Sequence, residues 1–334
     1  MSYRWLRFLA VPVLALVTPV LATTSAAGQS PVSNTARRPA DVPPTPWGDP
    51  DLQGVWDFRT LTPLQRPENR EALLTAEEAA EIEAKAVQAA VDADRPSEVR
   101  TEPLPVGGNV GGYNNFWFDR GAGVVDDRRT SLIVDPPSGR LPTRTETATA
   151  RLAERAEARR RHARGPEDRS LGERCISWGA PRLGAGYNSY YQILQSRDPV
   201  VILMEMIHDA RVVPIGDRPP LDEAIGLWSG SARGYWDGDT LVVETRNFNG
   251  LTKSFSAFGT SSDKVLTERF TRIDPITVNY EWTVEDPATF TDKITAIVPM
   301  TKVAGELHEY ACHEGNYGME NILAGARMEE LEGR

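Results

Sequence analysis

Gly234-Tyr235-Trp236-Asp237-Gly238-Asp239-Thr240-Leu241-Val242-Val243-Glu244-Thr245-Arg246 decides the fold class of this chain. Asp237-Gly238 between two β-type runs is a strong hairpin signal, because both residues tolerate the left-handed backbone that a tight turn needs. The run before it extends back to Gly226, and Leu241, Val242 and Val243 supply the answering strand. The same grammar continues outward in both directions. Upstream lie Val200 to Ile207 and Arg211 to Ile215. Downstream, Val265 to Ile273 and Thr277 to Val284 are joined through Asp274-Pro275, and Asp286-Pro287 marks a turn before Phe290 to Pro299. Leu307 to Cys312 reads as a final strand. Earlier strands are expected at Gly54–Arg59, Asn115–Asp119 and Ser131–Val134. Closely spaced strands with short turns predict a mainly β fold, an antiparallel up-and-down barrel-like domain with peripheral helices.

Three helices interrupt this pattern. Thr75 with Glu78, and Thr143 with Glu146, have the spacing of a capping box, in which each side chain satisfies the other residue's backbone N–H. They predict helices over about 75–94 and 145–164. A partial apolar stripe of Met319, Ile322, Leu323 and Ala326 predicts a third over about 318–331. The first carries few large apolar residues and is expected on the surface. The basic run Arg155 to Arg164 contains Glu157 and follows Glu154, which fits a solvated helix face.

The N-terminal region has a different character. Two arginines within residues 1–7, an apolar stretch over 8–22 broken by Pro12 and Pro19, and Ser25-Ala26-Ala27 match a secretory signal peptide over 1–27. The alternative, a membrane anchor, would need about 20 uninterrupted apolar residues. Residues 28–46, rich in Pro, Ser, Thr and Ala, read as a linker, and 47–334 as one domain. The expected location is the periplasm or the exterior. In such a compartment the two cysteines, Cys175 and Cys312, are expected to pair, the alternative being two buried thiols.

Composition excludes several partners. A balance of 40% hydrophobic and 25% charged residues is that of a folded soluble domain, and a net charge of −10 disfavours nucleic acid and anionic membrane surfaces. No glycine-rich nucleotide loop, phosphate loop, Gly-x-Ser-x-Gly or His-Glu-x-x-His is present, so no cofactor is expected and no metal site is assigned, the alternative being a metal held by His208, His313 and a distant carboxylate.

Three strings carry a resemblance: Thr130 to Pro142, Gly234 to Thr245, and Tyr310-Ala311-Cys312-His313-Glu314-Gly315-Asn316-Tyr317. Together they resemble a large family of uncharacterised secreted bacterial proteins, a likeness covering most of the mature chain and implying no activity. Gly54-Val55-Trp56 and Gly234-Tyr235-Trp236 are also similar to the Gly-x-Trp that opens lipocalin-like barrels. That likeness implies a barrel able to hold a ligand.

Candidate chemistry concentrates at strand ends, where barrel-mouth sites form. His208-Asp209, followed by Arg211, closes one strand, and His313-Glu314 closes another. Histidine suits proton transfer near neutral pH, and arginine can clamp an anion. The expected roles are His313 as general acid/base, oriented by Glu314 or Asp209, with His208 as second proton carrier and Arg211 as anion stabiliser. Strand parity would place His308, Tyr310 and Cys312 on one face and Glu309, Ala311 and His313 on the other. Tyr113, Asn115, Trp117, Tyr187 and Tyr190 are the expected walls for a flat, small-molecule ligand. Two functions fit: cofactor-independent acid–base catalysis (a lyase or isomerase) on a small aromatic or alicyclic molecule, or lipocalin-like binding without catalysis.

Overall fold

The computed structural model describes residues 42, 44–93, 95, 121–183, 186–250 and 261–333. The expected signal peptide, most of the linker, the expected strand at 115–119, and Tyr113, Asn115 and Trp117 lie outside the described residues.

The elements in chain order are β1 (Gly54–Asp57), α1 (Ala76–Ala93), β2 (Ile133–Asp135), α2 (Glu146–Arg160), β3 (Tyr190–Gln195), β4 (Val200–Met204), β5 (Ala210–Val213), β6 (Ser231–Asp237), β7 (Thr240–Arg246), β8 (Val265–Arg272), β9 (Thr277–Glu285), β10 (Ile294–Val303) and α3 (Tyr317–Leu331). Nine strands follow one another around a nearly closed antiparallel barrel in the order β5-β4-β3-β1-β10-β9-β8-β7-β6, with β2 paired to β10 off this path. From β3 to β10, strands successive in sequence are neighbours in space. β1 fills the gap between β10 and β3, pairing Val55 with Val303 on one side and with Gln192 on the other.

The seam between β5 and β6 closes by a short stretch of backbone. Gly234 N–H donates to Pro214 O at 2.9 Å, and Gly216 N–H donates to Gly234 O at 3.0 Å. A Cβ at position 234 would lie 2.6 Å from Ile215 Cδ1 and 2.9 Å from Val213 Cγ1, so any other residue would have to displace those side chains. The glycine of the hairpin motif thus serves close approach of the first and last strands of this path.

Alternation explains the core. Along β8, β9 and β10 every second residue is buried: Leu266 and Phe270, then Val278, Tyr280, Trp282 and Val284, then Ile294, Ala296, Val298 and Met300. These inward residues meet Trp56, Tyr191 and Ile193 in one apolar cluster. Phe270 stacks on Tyr280 at 4.9 Å between centroids, and Tyr191 meets Tyr280 edge-on at 5.8 Å. A barrel of this size has an interior that side chains can fill.

Three expectations about elements need correction. The helix expected over about 145–164 starts in place, but Thr143 does not cap it, because Thr143 O accepts from Thr291 N–H at 2.9 Å outside the helix. Thr145 is the cap instead, its hydroxyl accepting from Ala148 N–H at 3.1 Å, and α2 ends at Arg160. The first capping box forms as read: Glu78 N–H donates to Thr75 Oγ1 at 3.1 Å, and Thr75 N–H donates to Glu78 Oε2 at 2.9 Å. Leu307 to Cys312 is not a strand. β10 already has β1 and β9 on its two sides, so no free edge remains there for the segment to join. Finally, Tyr190–Gln195, not expected as a strand, forms β3.

Cys175 and Cys312 form a disulfide, as expected. It ties the irregular 305–316 segment to the stretch after α2. Among the described residues no helix is long and apolar enough to cross a membrane.

Candidate functional site at the barrel mouth

Three strand ends converge at one end of the barrel. Asp57 pairs with Tyr190, and Tyr191 pairs with Met204, so the register brings together Arg59, Tyr190 and Glu205. Over them lies the disulfide-tethered segment from His308 to Asn316, flanked by Met319 and Ile322 of α3 and by Glu173. A cleft of about 790 Å³ opens between these groups. A second hollow, of about 430 Å³, shares Arg59 and is lined mainly by Phe58, Leu61, Leu64, Leu132 and Leu183.

Glu205 is the most constrained ionisable group lining the cleft. It follows the apolar strand β4, is 4% exposed, and its Oε2 has no hydrogen-bond partner. Burial raises its pKa, opposed by the His308 N–H, by the nearby Asn188 side chain, and by the charges of His308 and Arg59. The His308 N–H reaches Oε1 at 3.4 Å. Burial also works against the charge on Arg59. The Asp57 carboxylate more than offsets it, with Arg59 Nε donating at 2.8 Å and Nη2 at 2.5 Å, and the pKa stands above its ordinary value. The same guanidinium lies 5.2 Å from the centre of the Tyr190 ring. Burial raises the Tyr190 pKa as well, with Arg59 pulling the other way.

The residues singled out in the sequence divide between three places. Tyr187, Tyr190 and Glu314 line the cleft. His208 and His313 are exposed beside it, ring centroids 6.2 Å apart, and neither is among its lining residues. The chain reaches His208 through a turn in which Ile207 and His208 take positive φ values of 59° and 42°, and His208 Nδ1 lies 3.2 Å from Tyr310 O. Asp209 does not orient His313. It accepts from Ser177 Oγ at 2.6 Å and from Ser229 Oγ at 3.3 Å. Because Leu307–Cys312 is irregular, the expected parity does not hold, and His308, Glu309, Tyr310, Ala311 and Cys312 all line the cleft.

Arg211 occupies a third place, inside the barrel. It is 6% exposed and forms a double bridge to the fully buried Glu268, at 2.5 and 2.9 Å. Tyr280 Oη donates to the same carboxylate at 2.6 Å. Burial opposes the Arg211 charge, but Glu268 more than restores it and holds the pKa above the ordinary value. Burial pushes Tyr191 up to about 12 and Tyr280 well above its usual value. Nearby, burial lowers Lys264 to about 8. Its Nζ donates to Ala180 O at 3.0 Å and sits 4.1 Å from the centre of the Phe248 ring.

Arg59, Asn188, Glu205 and His308 were not selected from the sequence as site residues. For Glu205 a signal existed: a carboxylate ending an otherwise apolar strand run. For Arg59 and His308 there was none, because their value depends on partners more than a hundred residues away.

No family model, curated protein or solved structure matches this chain. The site therefore rests on its own geometry. Among the described residues no cluster of three or more His, Cys, Asp or Glu has metal-binding geometry.

Proposed function

We propose that the protein is an enzyme of the lyase or isomerase type, performing cofactor-independent proton transfer on a small aromatic or alicyclic molecule in the barrel-mouth cleft. The observation that carries this reading is Glu205, a buried carboxyl with a raised pKa lining a cleft large enough for such a molecule. A carboxyl shifted toward neutrality can both accept and return a proton, and burial of this kind is how proteins tune such groups. Tyr190 and Arg59 stand at the same mouth, where a phenol donor and a cation would stabilise negative charge developing on a substrate oxygen. Proton transfer is assigned to Glu205 rather than to His313 or His208, whose exposed rings lie outside the lining.

Export to the periplasm or exterior belongs to the same proposal. It is supported by the basic and apolar N-terminal pattern and by the Cys175–Cys312 disulfide, a bond that persists in oxidising compartments. The alternative is a binding protein that holds its ligand in the same cleft without converting it. The test is a turnover screen of small aromatic and alicyclic compounds with the wild type and Glu205→Gln, monitored by mass spectrometry. Consumption that falls by about 10²–10⁴ in a normally folded variant supports catalysis by Glu205. Undiminished turnover by that variant overturns the assignment, and a ligand retained chemically unchanged by the wild type makes the protein a carrier.

A further inference from the structure

The charge of the cleft points to the class of molecule that enters it. Its described lining holds four carboxylates, Glu205, Glu309, Glu314 and the Ser170-bound Glu173, against the guanidinium of Arg59 and the imidazole of His308. Arg59 is matched by a bidentate bridge to Asp57, so its charge is largely spent within the protein. Arg182, whose charge acts on Tyr187 and Tyr310, is buried over Trp178 at 4.7 Å from the ring centre and does not line the cleft.

A group of acids alone would say little, since exposed carboxylates are readily solvated. Glu205 differs. It is buried, it lines the cleft, and one of its oxygens lacks a hydrogen-bond partner. A desolvated acceptor of this kind is completed by a donor, and a positively charged donor does so best. Tyr187, Tyr190 and Tyr310 line the same space. Phenol rings attract a cation through their faces, and the position of Arg59 over Tyr190 already uses this interaction. The second hollow, which shares Arg59 with the cleft, presents Phe58 and four leucines against which an uncharged hydrocarbon body can pack.

We propose that the molecule bound at the barrel mouth is a small organic ammonium ion, its charged head among Glu205 and the three tyrosines and its aromatic or alicyclic body toward the leucine-lined hollow. This deepens the proposed catalytic function and rests on the same cleft, but it concerns recognition and holds equally for a carrier. An anionic ligand would face four carboxylates with no unmatched lining guanidinium to receive it.

The test uses the purified full chain and three probes of one shape: cyclohexylmethylammonium, cyclohexylmethanol and cyclohexanecarboxylate. Binding is measured by isothermal titration and by ligand-observed NMR. The ammonium probe is expected to bind about tenfold or more tighter than the alcohol, and the carboxylate weakest. Glu205→Gln should remove most of that preference. Because a buried substitution can disturb folding, the exposed Glu309→Gln provides a second reading, with a severalfold loss expected for the ammonium probe alone. Equal affinity for ammonium and alcohol, or tighter binding of the carboxylate, overturns the proposal. Failure of catalysis is read separately: a cation preference that survives while no compound is turned over removes the enzyme reading and leaves this one standing.

Discussion

Replacing Glu268 by glutamine tests how the barrel interior tolerates charge. Glu268 is fully buried and receives two guanidinium hydrogen bonds, at 2.5 and 2.9 Å, and one from the Tyr280 hydroxyl at 2.6 Å. The glutamine is nearly the same size, so little cavity arises, but Arg211 keeps its charge with no counterion. Removing one partner of a buried pair costs about 3–5 kcal/mol, against about 5–15 kcal/mol of total stability for a typical domain. Urea unfolding of the oxidised protein, followed by tryptophan fluorescence, measures the loss. With a slope near 3 kcal/mol/M, the midpoint should fall by about 1–2 M. The double variant Arg211→Met/Glu268→Leu should recover most of it, because no stranded charge remains and buried pairs often exchange for apolar groups at little net cost. A loss below about 1 kcal/mol for Glu268→Gln, or a double variant as unstable as the single one, would refute the reasoning.

Two further predictions concern the same core and its tether. Lys264, lowered by burial to about 8 from its ordinary value of 10.5, binds its proton less tightly in the folded state than in the unfolded chain. Stability should therefore rise with pH from about 8 toward 10, by up to about 3 kcal/mol from this group alone, and Lys264→Met should flatten that rise in urea titrations. Above about pH 10 the sign reverses, because Tyr191 and Tyr280 retain protons that the unfolded chain sheds. A flat wild-type profile between pH 8 and 10 would count against the Lys264 assignment. The Cys175–Cys312 bridge closes a loop spanning 137 positions, so the Cys175→Ser/Cys312→Ser variant should lose about 5 kcal/mol in the chain-entropy account. Alkylation of the unreduced wild type should find no free thiol, and two modified cysteines would contradict the bridge.

Local chemistry determined much of the fold by itself. The chain turns at Gly238-Asp239, one residue later than Asp237-Gly238, with Gly238 supplying the positive φ of 57° and Asp237 ending β6. The Thr75–Glu78 capping box starts α1, and alternating burial appears along β8 and β9 because the period of a strand is a property of the chain. Those signals sufficed for an antiparallel barrel with peripheral helices, and the N-terminal leader pattern, through the compartment it implies, for a pairing of the two cysteines. They failed at Leu307–Cys312, which has strand composition but follows β10, a strand already paired on both sides. Tertiary structure alone decided which ionisable groups meet. Arg211 and His208 are close neighbours in sequence, yet the positive-φ turn at Ile207–His208 and the return into β5 send one into the barrel and leave the other in water. Glu205, Arg59 and His308 meet because strand register and a disulfide bring three distant segments to one mouth. Turn and period are encoded within a few residues, whereas burial and electrostatic partners depend on how the whole barrel closes.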